Sequence, residues 1–575
     1  MLSREAFKDF EQAVGKGNVS DDASTCMSYA WNAGLGGIPK PNRLSAVPPI
    51  AVVLPGSTEE VQAVVKTCLR HGIKFKPHST GYGSFATVAA PNAISVDLRR
   101  MDRILEIDRR NQMAVIEPYV TAGQLQAEAM KQGLNCHIVG AGLTHSPFAS
   151  ATACIGVGIT GTTTSNNARN LLGLEWVDPQ GEIVRIGTPG ADCGWFSDEG
   201  PGPGFRGMIR GVVGTMGGLG IFTRIGYKLY PWPGPKTLVR TGKHPQIGIQ
   251  IPEHFRLYHL VWDNWADVTK ATYDINRSAV AYVLVRISPN GYNVQLAATN
   301  NDFYKIATAH DTPDIFADSD ACRHTWTLLT AASSEAEALY KERVVQAILA
   351  RTNGRNVQLT PQHEELVAHN LVSSIFIPRV LRPSSAMATT FGALESFARL
   401  PELMKAGEAM LGEDIRPGGH LMQGSSEEFW VWPNERRHMW GENAFSYDVN
   451  SPDSRGAVLR VVLDQANLIE TRGDLGFDIF GAIGPLADFF SPAANGAAKW
   501  MRRIKHRFDK DSVNDAQFYI AAEPPRITKY WPVLRRVLFA RPFRPIFRRL
   551  MKYFAVVGLQ LVFGKPQTKS QRDGR

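Results

Sequence analysis

Three glycine-rich segments lie in the first 235 residues of this 575-residue chain, at residues 76–84, 140–161 and 196–220. Glycine lets consecutive main-chain N–H groups turn towards a common point, and it lets the backbone approach a ligand closely. These segments alternate with strand-like and helix-like runs, which is not the pattern of a collagen or of a flexible linker. The arrangement indicates tight backbone turns around a bound molecule.

The runs around the first of these segments predict a strand–helix–strand unit. Residues 50–55 form an apolar run typical of a buried strand. A helix follows, and Ser57 with Glu60 three positions later matches a capping box. Gly72 is the stop signal of that helix, and residues 73–76 begin a second strand. The unit is suited to a domain of mixed helices and strands.

Further units follow along the chain. Residues 93–133 contain two strand-like runs and a helix capped by Thr121, and Pro179 marks a turn between two more strands. Residues 236–470 also alternate strand-like runs with helices, and Ser334 caps a long helix there. These patterns predict two α+β regions with a boundary in the proline-rich stretch before residue 236.

Composition narrows the classes of function. Apolar residues make up 44% of the chain and charged residues 20%, which is typical of a globular protein. The 6 cysteines are scattered and none forms a CxxC pair. The spacing argues against zinc ribbons, ferredoxin-type clusters and thioredoxin chemistry, and no metal site is predicted.

The positive charge belongs to one end of the chain. The formal net charge is +9, and residues 521–575 hold 13 Lys or Arg against 2 acidic residues, a balance of +11, which leaves −2 for the rest. This distribution argues against a nucleic-acid-binding body. Residues 523–575 form a basic amphipathic tail, which predicts contact with an anionic membrane surface or, alternatively, docking on the body or on a partner. With neither an apolar leader nor a run of about 20 apolar residues, we expect a cytoplasmic protein, peripheral on the inner face of the membrane if the tail binds lipid.

Two glycine motifs are candidates for phosphate binding. Residues 202–207 form a literal GxGxxG, but no strand–helix unit surrounds it, so we reject it as a dinucleotide fingerprint. Residues 76–84 follow a strand directly and offer backbone N–H groups and hydroxyls to a pyrophosphate. The alternative for this second motif is an ordinary tight turn.

Five motifs occur in an order that resembles a known family. They are the loop at 79–84, the segment Asp97-Leu98-x-x-Met101, Glu117-Pro118, the loop at 156–166 and the segment 217–223. This series resembles the vanillyl-alcohol oxidase/p-cresol methylhydroxylase family, which also contains glycolate oxidase and D-lactate dehydrogenase flavoproteins. The likeness covers residues 48–235 and, more weakly, 475–520.

The resemblance implies an α+β fold with a two-part FAD-binding domain and an inserted substrate domain. The implied domains are residues 1–47 as an N-terminal extension, 48–235 and 471–522 as the two parts of the FAD-binding domain, 236–470 as the α+β substrate (cap) domain, and 523–575 as the tail. The FAD contacts that it implies come from Ser79, Thr80, Gly81, Tyr82, Gly83, Ser84, Pro118, Gly156, Gly158, Gly161, Thr162, Asn166, Gly220 and Ile221.

Departures from the family pattern refine this expectation. Tyr82 stands where some relatives carry a histidine that binds the flavin covalently, so we expect non-covalent FAD. Asn166 lies where the phenol-oxidising branch has an acidic residue, which places phenol-type chemistry in doubt. The metal-binding histidine pattern of the glycolate and lactate branch does not occur in the sequence.

The resemblance implies an FAD-dependent oxidoreductase. Such a protein transfers a hydride from an alcohol, a 2-hydroxy acid or a related small molecule to the flavin. Tyr82, Asn166 and His420 are the candidate catalytic residues, although a structural histidine at a strand start is the alternative for His420. The alternative functions are a non-redox transferase of the alkyl-glycerone-phosphate synthase type and a membrane-associated subunit that holds FAD structurally. Expected partners are a small-molecule substrate, a membrane electron acceptor reached through the tail, and a second copy of the chain.

Overall fold

The computed structural model describes most of residues 2–515 and a few positions beyond. The described residues are 2–30, 48–81, 86–88, 90–212, 214–244, 246–287, 291–292, 297–299, 301–302, 305, 323–375, 387–411, 420–422, 429–447, 451, 453–454, 456–458, 460–461, 496–515, 519–520, 523 and 533. The predicted tail therefore lies almost wholly outside the described residues.

The first half of the chain contains seven helices and eleven strands in its described residues. The helices are α1 (Arg4–Val14), α2 (Ala23–Ser28), α3 (Thr58–His71), α4 (Ala122–Lys131), α5 (Pro147–Ala153), α6 (Gly161–Thr164) and α7 (Arg206–Ile209). The strands are β1 (Val19–Ser20), β2 (Val52–Val53), β3 (Lys74–His78), β4 (Ala93–Asp97), β5 (Ile104–Asp108), β6 (Met113–Ile116), β7 (Leu134–Asn135), β8 (Leu171–Val177), β9 (Ile183–Ile186), β10 (Ile221–Lys228) and β11 (Tyr230–Pro231).

A small sheet holds the predicted strand–helix–strand unit. Its order is β1-β2-β4-β3, and β4 pairs in parallel with both β2 and β3. Between β2 and β3 runs α3, which begins after the N-cap Ser57 and ends at Gly72 in the left-handed conformation. Both ends of this helix were predicted and are confirmed. Since β3 ends at His78, the parallel sheet delivers the chain directly into the loop that begins at Ser79.

A second sheet of five antiparallel strands lies next in the chain, in the order β5-β6-β10-β8-β9. The hairpin predicted at Pro179 is confirmed, since Val177 of β8 pairs with Ile183 of β9. Helix α4 begins after the predicted cap Thr121, which forms a capping box with Gln124. At Ser57 only the cap to the Glu60 N–H forms, because the Glu60 carboxylate accepts from the N–H of Gly56 instead. The long strand β10 connects this sheet to the third glycine-rich segment, because that segment ends where β10 begins.

The remaining described elements form the region predicted as the substrate domain and one helix after it. The strands are β12 (Arg240–Lys243), β13 (Gln246–Ile249), β14 (Phe255–Val261), β15 (Val283–Val285), β16 (Thr325–Ala331), β17 (Arg355–Val357), β18 (Met387–Glu395), β19 (Leu421–Met422), β20 (Phe429–Asn434) and β21 (His438–Tyr447). The helices are α8 (Trp265–Ser278), α9 (Glu335–Thr352), α10 (Pro361–Ser373), α11 (Leu400–Leu411) and α12 (Ala497–Phe508).

Two antiparallel sheets dominate this region. One has the order β15-β16-β14-β17, and in the other β21 pairs with β18, β19 and β20. Helix α9 begins after Ser334, as predicted, and ends at Asn353 in the left-handed conformation. Trp430 and Trp432 alternate along β20 and are both buried in the core, which explains their spacing of two. The short turn between β20 and β21 projects towards the glycine-rich loop at residue 161.

The segment after residue 496 returns to the first half of the molecule. Helix α12 packs beside the third glycine-rich segment, and Asn514 forms an isolated parallel bridge with Phe75 of β3. The buried ammonium group of Lys505 donates hydrogen bonds to the carbonyl oxygens of Gly218 (2.7 Å) and Asn514 (3.0 Å). The contacts join residues 496–515 to the elements on which the predicted cofactor loops stand. Among the described helices, none is long and apolar enough to cross a membrane.

Candidate flavin site

The loop after β3 is tied to two neighbouring turns by hydroxyl groups. Ser79 Oγ and Ser146 Oγ each donate a hydrogen bond of 2.7 Å to the carbonyl oxygen of Pro118. The main-chain N–H of Ser146 donates to Thr80 Oγ1 at 3.1 Å. One carbonyl thus gathers three segments that are distant in sequence. Because Ser79, Thr80 and Pro118 were predicted to contact the cofactor, the structure brings these three predicted residues together.

Gly81 continues this loop in a conformation that favours glycine. Its φ is 75°, and a Cβ there would lie 2.8 Å from Nε2 of His78. The imidazole of His78 is therefore pressed against the loop backbone, and burial lowers its pKa. The neutral form of the His78 imidazole fits this position against the loop backbone. The next predicted contacts, Tyr82, Gly83 and Ser84, lie outside the described residues.

The second glycine-rich loop is closely packed from behind. Gly156 has a φ of 64°, and a Cβ there would come within 2.5 Å of Asn167 Cβ. At Gly158 a Cβ would lie 2.1 Å from Nε2 of His137 and 2.3 Å from the carbonyl oxygen of Ile138. Both positions require glycine for steric reasons that the sequence pattern alone did not explain.

His137 supports this loop from the interior. Its Nδ1 lies 2.8 Å from Thr164 Oγ1, while its Nε2 has no hydrogen-bond partner among the described residues. Thr164 Oγ1 also donates to the carbonyl oxygen of Thr160 at 3.0 Å, so the histidine is assigned as the Nδ1–H donor. Burial lowers the pKa of His137 to about 3, which keeps the ring neutral at physiological pH.

The far end of the same loop faces the substrate region. Thr162 Oγ1 donates to Asn276 Oδ1 at 2.9 Å, and the carbonyl oxygen of Gly161 accepts a 3.0 Å hydrogen bond from the N–H of Glu435. A Cβ at Gly161 would lie 2.6 Å from Asn434 Oδ1. The side chain of Thr162 is therefore engaged by α8. The loop therefore lies between the first half of the chain and the region after residue 236.

Ser165 and Asn166 end this loop, and each has a buried side-chain oxygen without a hydrogen-bond partner among the described residues. Asn166 is 6% exposed, and its unpartnered atom is Oδ1. The adjacent Asn167 is fully engaged, since its Nδ2 donates to the carbonyl oxygen of Pro147 and its Oδ1 accepts from Tyr227. A buried oxygen without a partner is costly unless a ligand satisfies it. Asn166 therefore has the environment expected of a residue that contacts a bound group.

The third segment contributes a glycine whose N–H is already used. Gly220 has a φ of 89°, and its N–H donates to Asn514 Oδ1. Ile221 begins β10 and pairs with Val177, while Trp176 Nε1 donates to the carbonyl oxygen of Leu219 at 2.6 Å. Contacts from Gly220 and Ile221 to the cofactor stay predictions, and the N–H of Gly220 is committed to the C-terminal segment.

His420 lies apart from the predicted residues described above. It is exposed at the start of β19, which pairs with the end of β21 at Tyr447. The turn that contacts Gly161 precedes the other end of β21 at His438. At roughly 3.3 Å per strand residue, these ends are about 30 Å apart. The structure does not bring His420 beside Asn166.

Three residues that contact the loop at 156–166 or its end were not predicted from the sequence. His137 contacts it from the protein interior, Arg169 follows it in the chain, and Glu435 contacts it from the region after residue 236. The strand-like run before Pro433 indicates a hairpin turn after it. The contact of this turn with Gly161 depends on how distant elements pack, so the sequence does not reveal it. Among the described residues, no group of three His, Cys, Asp or Glu side chains is placed to hold a metal ion.

These features fit FAD. The ligand carries a pyrophosphate and a long, partly apolar body, and glycines at left-handed φ values let main-chain N–H groups approach such a molecule. Ser79, Thr80 and Gly81 would hold the pyrophosphate end, and the loop ending at Asn166 would contact the ring. The unsatisfied Oδ1 of Asn166 is the observation that fits a buried polar ligand there.

Comparisons with known proteins agree with this assignment. A family model described as an FAD binding domain matches residues 49–187. The flavoprotein subunit of 4-cresol dehydrogenase (hydroxylating) from Pseudomonas putida is 29% identical over 242 residues, 40% of this chain and 43% of that protein. The 1'-carboxy-chondrochloren decarboxylase of Chondromyces crocatus is 30% identical over 240 residues, 40% of each chain. The chain spans less than half the length of these curated relatives.

The fold comparison extends over most of the chain. The crystal structure of p-cresol methylhydroxylase with substrate bound matches with a TM-score of 0.66 at 18% identity, over 89% of this chain and 95% of that one. At this identity the match shows the fold alone. Together with the family match and the ordered motifs, it confirms that the chain contains an FAD-binding domain, that it resembles the p-cresol methylhydroxylase group of flavoproteins, and that its cofactor is FAD.

Proposed function

We propose that the protein oxidises an alcohol, a 2-hydroxy acid or a related small molecule, and that its FAD is held non-covalently. The observation that carries this proposal is the buried, unpartnered Oδ1 of Asn166 in the loop between the two halves of the molecule. When bound, FAD supplies a two-electron acceptor for a C–H bond beside a hydroxyl group.

Asn166 is suited to orientation and not to proton abstraction. A carboxamide does not gain or lose a proton near neutral pH, so it cannot act as a base. Its Oδ1 accepts a hydrogen bond from a hydroxyl or an N–H group. Holding the substrate hydroxyl would fix the adjacent C–H bond in a reactive position, which is a large part of enzymatic rate enhancement. The hydroxyl proton needs a separate acceptor, and Tyr82 stays the predicted candidate in the loop that begins at Ser79.

The chemistry is tested by anaerobic titration of the purified holoprotein with 2-hydroxy acids, primary alcohols and para-alkylphenols. The expected result is loss of the oxidised flavin absorbance with at least one class. Asn166→Ala is expected to lower the rate of that reduction by about 100-fold, and Asn111→Ala, an exposed asparagine of the β5–β6 turn, is the matched control. His420→Ala with unchanged reduction would assign His420 the structural role.

Two outcomes would reject this proposal. Absence of flavin reduction by every substrate class, together with a product formed without net oxidation, would indicate a non-redox transferase. A relative described as a decarboxylase shows that reaction types vary among the proteins this chain resembles. Flavin that stays with acid-precipitated protein would instead contradict the non-covalent attachment.

Membrane contact by residues 523–575 stays a separate prediction. The helix that precedes the tail supports it, because α12 exposes Trp500 (58% exposed) together with Lys499, Arg503 and Arg507. Exposed tryptophan beside cations is typical of surfaces that contact anionic lipid headgroups. Removal of residues 525–575 should abolish binding to vesicles that contain anionic lipid, and unchanged binding would reject a role for the tail.

A further inference from the structure

The turn between β20 and β21 contacts the loop at 156–166 through its main chain. The N–H of Glu435 donates to the carbonyl oxygen of Gly161 at 3.0 Å. Asn434 is buried, its Nδ2 donates to the carbonyl oxygen of Trp432 at 3.2 Å, and its Oδ1 faces Gly161. The main chain of the turn is thus fitted against the main chain of the loop.

An ion pair adds a second connection at the other end of the loop. Arg169 Nη1 lies 2.5 Å from both carboxylate oxygens of Glu435. Burial raises the pKa of Glu435, but the hydrogen bonds from Arg437 and Arg169 outweigh this effect, and the pKa is lowered overall. The N–H of Arg169 donates to the carbonyl oxygen of Asn166 at 3.0 Å. The ion pair is therefore connected to Asn166 through the main chain of Arg169.

The turn has a backbone that its residues do not favour by themselves. Glu435 and Arg436 have φ values of 49° and 58°, both in the left-handed region. Turns with positive φ at two consecutive residues usually contain asparagine and glycine, which adopt such values easily. Unfavoured conformations persist where surrounding contacts hold them, and they are concentrated at functional sites. The contacts with Gly161 and Arg169 help to hold this turn, together with the ion pair between Glu435 and Arg437.

We propose that Glu435 is a positioning residue, which acts through Arg169 and Gly161 to fix Asn166 against the flavin. The inference rests on the proposed function, and it adds that the substrate domain sets the geometry at the flavin through one ion pair. The Arg169 side chain is 45% exposed and that of Glu435 21%. A pair this exposed contributes little to stability, so removing it should alter the site and leave the fold intact.

The test compares Glu435→Gln with Glu335→Gln. Glu335 lies in the same half of the molecule and pairs with Arg256 at 3.3 Å, and it is not in contact with the loop. We expect Glu435→Gln to change the visible circular dichroism and the midpoint potential of the flavin and to lower kcat about tenfold with KM nearly unchanged. Glu335→Gln should leave all four quantities as in the wild type.

Exchanging the charges of Arg169 and Glu435 tests whether the ion pair itself, and not either residue alone, produces the effect. Arg169→Glu should reproduce the defect, and the double variant Arg169→Glu/Glu435→Arg should recover a substantial part of the wild-type spectrum and potential. Equal behaviour of Glu435→Gln and Glu335→Gln, or no recovery in the double variant, would overturn the inference. The potential is measured with a chemical reductant, so these results are informative even if the wild type is reduced by none of the substrates and the proposed function fails.

Discussion

The side chain of Asn514 accepts a hydrogen bond from the main-chain N–H of Gly220, a residue 294 positions earlier in the sequence. The same carboxamide donates to the carbonyl oxygens of Phe75 (3.1 Å) and Gly217 (2.9 Å). One buried asparagine therefore connects the first parallel sheet, the third glycine-rich segment and the C-terminal segment.

Replacement of this asparagine should destabilise the protein. Asn514→Ala removes three hydrogen bonds and leaves the N–H of Gly220 and the carbonyl oxygen of Gly217 without these partners, which we expect to cost about 3 kcal/mol. The measurement is the denaturant midpoint, monitored by flavin release and by far-ultraviolet circular dichroism. Asn111→Ala removes an exposed asparagine and should change neither signal. Equal midpoints for the two variants would show that the bridge contributes nothing.

The buried ion pair below this asparagine should be sensitive to loss of one partner. Lys505 and Asp509 are both fully buried, and Lys505 also binds two carbonyl oxygens. Lys505→Met leaves the carboxylate buried without its cation, so we expect a loss of about 3–5 kcal/mol of stability. Lys510→Met, at an exposed position five residues later and beyond the end of α12, is the control. If both variants unfold at the wild-type midpoint, the pair is not structurally important.

Glycine 158 offers a steric test of the second loop. Gly158→Ala places a Cβ 2.1 Å from His137 Nε2, so the loop must move and FAD content should fall by tenfold or more, an order-of-magnitude expectation. Gly202→Ala has no atom within 4 Å of the new Cβ and should retain full FAD content. Because Gly202 belongs to the literal GxGxxG, loss of FAD in that variant would contradict our rejection of the motif.

His137 should make stability depend on pH. The folded protein keeps this ring neutral down to a pKa of about 3, whereas the unfolded chain takes up a proton near 6.5. Its contribution is fully present above pH 6.5 and is lost as the pH falls, by about 2 kcal/mol at pH 5. His137→Asn keeps a donor near Thr164 and does not titrate. The stability difference between the wild type and this variant should therefore narrow between pH 7 and pH 5, and a constant difference would contradict the assignment.

Local signals in the sequence predicted much of the framework. The caps at Ser57, Thr121 and Ser334 are confirmed because capping depends on residues within one helical turn. Gly81, Gly156 and Gly220, one from each glycine-rich segment, have positive φ values, because tight turns have local sequence requirements. The family resemblance, which rests on the order of these local motifs, is confirmed by the domain match and by the fold.

Contacts between segments that are distant in sequence could not be predicted from local sequence signals. Nothing near Gly161 in the sequence indicates that Glu435 packs against it, and the exposed position of His420 follows from the pairing of β19 with the far end of β21. His137 was also missed, because a histidine beside a strand-like run is usually a core residue. Such relationships depend on how whole sheets pack.

The bridge between Asn514 and Gly220 also sets the order in which the protein can be completed during synthesis. At about 5–20 residues per second, the ribosome needs roughly 15–60 s to proceed from Gly220 to Asn514. During that interval the N–H of Gly220 and the carbonyl oxygens of Phe75 and Gly217 lack their hydrogen bonds to the side chain of Asn514. The contacts of the nascent flavin-binding half are thus complete only after residue 514 has been synthesised, so we expect stable capture of the cofactor to follow that step.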